Sequence, residues 1–119
     1  MEKRTKNAPI NWHVLKNLAE IEAVLEESKQ MDVVIFKHSP SCFISKKALK
    51  NFELGWELQK NTSDVSFYFI DVLKSRPLSQ AIAKTFNVIH QSPQLLHIRD
   101  ENVIQHSSHG SIEASVISD

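Results

Sequence analysis

Cys42, the only cysteine in the chain, is the residue best placed for covalent chemistry. It follows the turn Ser39-Pro40-Ser41 and precedes a segment, from Phe43 onward, whose apolar residues recur at helical spacing. The first turn of a helix leaves backbone N–H groups unpaired and carries the positive end of the helix dipole. A sulfur there is stabilised as the thiolate, the nucleophilic form. Lys37 and His38 before it, with Lys46 and Lys47 after it, add positive charge in the sequence. The competing reading is an inert thiol, because free cysteine is often a small core hydrophobe. A turn that opens a helix is a surface position in folds of this class, which favours the reactive reading. Ser45 stands three residues on, where a Cys-x-x-Cys motif holds its resolving thiol. A hydroxyl cannot form a disulfide, but it can donate a hydrogen bond to a thiolate. The same serine is equally read as a solvated helix residue.

A second feature is Ser92-Pro93, just ahead of an apolar run. Proline is the one residue for which a cis bond is cheap. A cis bond there would leave the Ser92 amide and carbonyl free to pair with an extended substrate. Taken alone, the dipeptide also reads as an ordinary trans proline at the start of a strand. The six histidines (His13, His38, His90, His97, His106 and His109) lack zinc-type spacing and have one cysteine to help them, so no metal site is expected. His97 and His106 are expected to face each other across a hairpin. With two glycines, the chain has no phosphate-binding glycine loop, and no serine-hydrolase elbow is visible.

These residues need elements to hold them. Residues 10–15 suit a short edge strand. Asn17 reads as a helix N-cap, with Glu20 placed to complete a capping box, and Leu18, Ile21, Val24 and Leu25 carry a helix to about Lys29. Residues 32–38 form an apolar, β-branched run short enough for a buried central strand. The helix after Cys42 carries Ile44, Ala48, Phe52 and Trp56 and runs to about Asn61, with Gly55 inside it permitting a bend or close packing. Residues 65–72 are a second strong strand, and a helix opens at Arg76-Pro77 and stops near Asn87. Residues 94–98 and 103–106 read as a hairpin around a polar turn at 99–102, and a last short helix spans 111–117. Strands that alternate with helices imply parallel crossover units, and the hairpin adds antiparallel pairing. The expected architecture is α/β: a single domain over residues 1–119, with a mixed central sheet of four to five strands and helices on both faces. Residues 1–9 read as a frayed polar tail.

Composition narrows the function classes. A chain of 119 residues can bury a core without disulfide or metal staples. Its 14 basic and 14 acidic residues balance, which removes the electrostatic footprint of a nucleic-acid binder. No segment approaches the length of a membrane span. No signal-type apolar run follows the basic first residues, and a free thiol persists in a reducing compartment, so a cytoplasmic location is expected.

In combination, the strand 33–38, the turn ending in Cys42, Ser45 and the Ser92-Pro93 loop resemble a monothiol thioredoxin-like site. More narrowly, Phe36-Lys-His-Ser-Pro-Ser-Cys-Phe-Ile-Ser45 and Ser107-Ser-His-Gly-Ser-Ile112 resemble the YtxJ family of thioredoxin-like monothiol bacilliredoxins. Two positions depart from that pattern: Phe43, where a proline or small residue is common, and Gln105, where an aromatic is expected.

The resemblance implies a thioredoxin-like fold and reductive removal of bacillithiol from protein mixed disulfides, with Cys42 as the catalytic residue. It implies supporting or substrate-binding positions at His38, Ser41, Phe43, Ser45, Ser92, Pro93, His109 and Gly110. It implies no bound cofactor, with bacillithiol as co-substrate, and as partners bacillithiolated proteins and a low-molecular-weight thiol that resolves the adduct. The helix N-termini after Cys42 and after Gly110 are candidate holders of bacillithiol's carboxylates. The rival classes are a non-catalytic thioredoxin-like binding module and an iron–sulfur or low-molecular-weight-thiol carrier. Phe43 argues against the cluster carrier, because a glycine there would let the backbone approach a cluster.

Overall fold

The fold is organised around the strand that leads to Cys42. From Val33 to His38 every residue is buried, so both faces of this strand are covered. The period of two divides them. Val33 and Ile35 join one core cluster, while Val34 and Phe36 join a second on the other side of the sheet.

The computed structural model describes residues 7–59 and 64–117. The described elements are β1 (His13–Val14), α1 (Glu20–Glu27), β2 (Asp32–His38), α2 (Phe43–Leu58), β3 (Val65–Asp71), α3 (Arg76–Phe86), β4 (Gln94–Arg99) and β5 (Asn102–Ser108). Two 3-10 turns follow, His109–Ser111 and Ala114–Ile117. The strand order is β1-β3-β2-β4-β5. β1, β3 and β2 run parallel, and β4 and β5 add antiparallel pairs. Helices α1 and α3 cover the first core cluster through Ile21, Val24, Leu78, Ile82 and Phe86. Helix α2 and the C-terminal turns cover the second through Ala48, Phe52, Trp56, Ile112 and Ile117. The expected α/β architecture is thus present with five strands. Among the described residues no helix is long and apolar enough to cross a membrane.

Several boundaries differ from the sequence reading. Of residues 10–15, only His13–Val14 pairs as a strand. Trp12 instead donates its indole N–H to Glu53 at 2.7 Å and packs edge-on to Phe36, Phe67 and Phe69, so the chain crosses α2 before it reaches the sheet. Residues 1–6 of the expected tail lie outside the described residues. Asn7 is not frayed: its amide donates to Gln59 O and its side chain to Trp56 O, which satisfies carbonyls at the end of α2. Half of the capping box exists. The Glu20 carboxylate accepts from the amides of Lys16 and Asn17, but the Asn17 side chain makes no cap and α1 starts at Glu20.

Helix α2 ends at Leu58, because Gln59 turns extended, and the expected end at Asn61 lies outside the described residues. Its buried stripe is Ser45, Ala48, Phe52 and Trp56; Ile44 points outward. Gly55 permits close packing, since a Cβ there would stand 3.3 Å from the Cβ of Ala114.

The hairpin turn is tighter than expected. Asp100 and Glu101 both have positive φ, as a two-residue hairpin turn of the primed type requires. A register shift at His97/Ile98 places His97 opposite Gln105 and His106 opposite Leu96, so the two histidines do not face each other. The expected helix over 111–117 is instead the two 3-10 turns.

His97 has a different partner. Its Nε2 lies 2.9 Å from Asp32, which also accepts two hydrogen bonds from Arg99, each at 2.8 Å. The Arg99 guanidinium, followed by the His97 contact, holds the Asp32 carboxyl at about 2 against burial. A carboxyl depressed in the folded state adds stability that is present above its unfolded value and lost as pH falls toward about 2. Asp32→Asn is expected to lower the unfolding free energy at pH 7 by about 2 kcal/mol. That difference should shrink steadily below pH ~4, where the wild-type carboxyl starts to protonate in the unfolded chain. Urea titrations at pH 7 and at low pH check this; a difference independent of pH would contradict it.

Candidate active site

β2 delivers the chain to one end of the sheet, and the turn after it sets the sulfur. The Cys42 amide donates to Ser39 O at 3.0 Å, closing the turn, and Cys42 O accepts from Lys46 N at 3.1 Å, opening α2. Cys42 is therefore the N-cap of a helix of 16 residues, with extended backbone angles (φ −102°, ψ 121°) and no hydrogen bond from its side chain to the helix amides. The N-cap is the position from which a side-chain acceptor meets the unpaired amides of the first turn. No acidic residue stands in that turn. Cys42 is half-buried, and its neighbours Phe43 and Ile44 are 75% and 53% exposed. The sulfur thus sits beside an apolar surface, not in the core.

Ser45 does not act as the sequence suggested. It is fully buried, and its hydroxyl accepts the Ser39 amide at 2.9 Å and lies 2.7 Å from His38 Nδ1. With His38 in its Nε2–H tautomer, the single hydroxyl hydrogen goes to the ring and not to a thiolate. Ser45 is neither a solvated helix serine nor a partner of the sulfur; it locks the turn to β2. His38 lies against Phe36 and Phe69. Burial pushes its pKa below the usual histidine value, opposed by Asp71 and assisted by Lys46, so the ring is neutral at neutral pH. His38 therefore adds no charge beside Cys42. Lys37 does not either, because its side chain lies on the opposite face of the sheet, under α3.

The register brings the second motif alongside. Lys37 pairs with Gln94, so the start of β4 lies next to the end of β2. The Ser92–Pro93 peptide is cis. Among the described residues Ser92 has no hydrogen-bond partner for its amide or carbonyl, and its buried hydroxyl is unpartnered as well. The Pro93 carbonyl accepts the His109 amide at 3.2 Å, which ties the loop to the end of β5. The Cys42 turn, Ser92-Pro93 and His109-Gly110 thus share one end of the sheet. Ser41 is exposed in the turn and makes no contact that assigns it a role. His109 adopts a positive φ of 52°, and Gly110 has open space where a Cβ would stand. No α-helix begins after Gly110, which removes that segment as a helix-dipole site for carboxylates. Among the described residues no group of three or more His, Cys, Asp or Glu could hold a metal ion.

Sequence reasoning placed Lys37 as a charge beside Cys42 and missed that it is fully buried against His90. The available signal was a lone charge inside an otherwise apolar buried strand. It also missed Leu73 and Ile89, apolar residues exposed in the segments after β3 and before the cis-proline.

The family model for the monothiol bacilliredoxin BrxC matches residues 13–117. A solved structure described as a candidate oxidoreductase with a thioredoxin fold is 32% identical, with 87% of this chain and 88% of that chain covered and a TM-score of 0.74. Thioredoxin of Malassezia sympodialis is 17% identical over 98% of this chain and 90% of its own, at a TM-score of 0.66. Thioredoxin of Schistosoma mansoni is 23% identical over 88% of each chain, also at 0.66. These last two share the fold. The family match runs through all five strands and takes in both the Cys42 turn and the proline loop, so the chain belongs to the monothiol bacilliredoxins, a family of thiol–disulfide oxidoreductases on the thioredoxin fold.

Proposed function

We propose that this protein removes bacillithiol from protein mixed disulfides. The Cys42 thiolate attacks the bacillithiol sulfur of the mixed disulfide. A new sulfur–sulfur bond forms to Cys42, the old one breaks, and the protein thiolate leaves and takes a proton from water. The protein thiol is reduced, and Cys42 is held as its bacillithiol disulfide. A second, external low-molecular-weight thiol, as its thiolate, then attacks the bacillithiol sulfur of that adduct; the bond to Cys42 breaks, the Cys42 thiolate is restored, and bacillithiol leaves as a disulfide with the attacking thiol.

The observation that carries this reading is the pairing of one accessible sulfur with a sealed Ser45. The position from which a second thiol would resolve the adduct is buried and bound to His38 and Ser39. Resolution must therefore come from outside. The unpartnered amide and carbonyl of Ser92 offer an extended substrate segment one donor and one acceptor. Phe43 and Ile44 give the substrate protein an apolar surface beside the sulfur. Such cycles run in a reducing cytoplasm, where external thiol is supplied.

The test is intact-mass spectrometry of the protein mixed with a bacillithiolated carrier protein. The carrier should lose one bacillithiol while this chain gains one at Cys42. Equal rates on a glutathionylated carrier would remove the specificity, and no transfer at all would remove the reading.

A further inference from the structure

On the α3 face of β2, Lys37 is a buried ammonium with no carboxylate partner. Its Nζ donates to Ser79 O and to His90 Nδ1, both at 3.2 Å. Ser79 Oγ lies 3.1 Å from the same ring nitrogen. A buried charge is normally paired. Here burial alone pushes the lysine down to about 8, with no acid drawing it back up. His90 is also held below its usual value, by burial first and then by the charges of Lys37 and Arg76. Lys37 thus contacts the imidazole directly, and Arg76 shares a cavity wall with it. Arg76, the first residue of α3, has no ion pair among the described residues. The Asp71 carboxylate at the end of β3 accepts the amides of Leu73 and Lys74 through Oδ1.

Arg76, Ser79 and His90 line a cavity. A space of about 180 Å³ is lined by Val72, Leu73, Arg76, Ser79, Gln80 and His90, with Lys37 behind its wall. Its place relative to the sulfur is fixed by two links. The Val72 amide donates to His38 O at 2.9 Å, at the strand end from which the Cys42 turn departs. His90 stands two residues before Ser92, in the loop that leads to the cis-proline.

Resting on the bacillithiol reading, we propose that this cavity is an anion subsite that takes a carboxylate of the low-molecular-weight thiol carried in the substrate disulfide. The Arg76 guanidinium meets the carboxylate directly. The His90 Nε2–H is the second donor, since Nδ1 is committed to Lys37 and Ser79. Lys37 supplies positive charge from behind and holds the ring in place. This differs from holding both carboxylates at helix N-termini, because the subsite is built from side chains and its lysine has no other counter-ion.

Two measurements test it. L-malate is titrated into the protein while the His90 ring resonances are followed by NMR; this readout does not depend on any activity. A saturable shift in the wild type, with affinity weakened roughly tenfold in Arg76→Gln, is expected. No saturable shift, or one untouched by Arg76→Gln, overturns the subsite. The second measurement compares transfer from one carrier protein bearing either bacillithiol or cysteamine, a thiol without a carboxylate. The preference for the bacillithiol form, as a ratio of kcat/KM values, should fall roughly tenfold in Arg76→Gln. An unchanged ratio overturns the assignment to substrate binding even where malate binds. If no bacillithiol transfer occurs in the wild type, the proposed function fails while the malate titration still decides the cavity. Arg76 is exposed and opens its helix, so the variant avoids the folding risk of changing Lys37 itself.

Discussion

Cys42→Ser is expected to abolish removal of bacillithiol from a carrier protein, leaving only the uncatalysed exchange rate. Thiol exchange proceeds through a thiolate, and a serine hydroxyl keeps its proton at neutral pH. No other side chain can substitute, because the chain has one cysteine and its two methionine thioethers carry no ionisable hydrogen. The substitution should not disturb the fold. Position 42 is the N-cap of α2, and serine is among the preferred N-cap residues. The thermal midpoint should hold or rise slightly while the mass of the carrier stays unchanged. Residual transfer above background in a well-folded variant would move the nucleophile away from Cys42.

Phe52→Ala is expected to remove about 3–5 kcal/mol of unfolding free energy. Phe52 is fully buried in the middle of the inward stripe of α2. Its ring centroid lies 6.1 Å from that of Trp12 and 6.3 Å from those of Phe36 and Phe67, so truncation opens a void among three aromatic neighbours. Domains of this kind are stable by about 5–15 kcal/mol in total, so the variant sits near the edge of folding. Helix α2 carries Cys42 at its head, and loss of its packing also loosens the nucleophile. Urea denaturation measures the effect. A loss under about 1 kcal/mol would mean that the second core cluster closes around the gap.

Much of this was legible in the residues. β2 was visible as an apolar run, and the helix after Cys42 as a periodic one. The proline loop was visible because Ser92-Pro93 stands directly ahead of a strand. The inward face of α2 was legible from Ala48 onward through Phe52 and Trp56, but not in its first turn. Ile44 is apolar and Ser45 polar, so periodicity points the wrong one inward. Ser45 can be buried because the Ser39 amide and the His38 ring satisfy its hydroxyl, and that pairing spans the turn in a way no local pattern records. The burial of Lys37 was invisible for a related reason: its partners come from α3 and the loop after it, more than forty residues along the chain. The His97–His106 pairing failed on the turn: with Arg99 opposite Asn102, regular pairing would put Ile104 opposite His97, and the one-residue shift at His97/Ile98 brings only Gln105 there.

The Ser45 arrangement also bears on how such a protein could change over descent. Turning a one-sulfur enzyme into a two-sulfur one looks like the smallest possible step, an oxygen replaced by a sulfur at position 45. In this chain that atom is the acceptor for the Ser39 amide and the neighbour of the His38 ring. Sulfur is larger and a weak acceptor, so the exchange leaves a half-buried amide and a buried imidazole poorly matched. Fitting a sulfur at position 45 of this chain would call for refitting the turn and the histidine with it. In this turn Ser39, His38 and Ser45 thus form one hydrogen-bonded unit, and a sulfur at position 45 alone does not fit it.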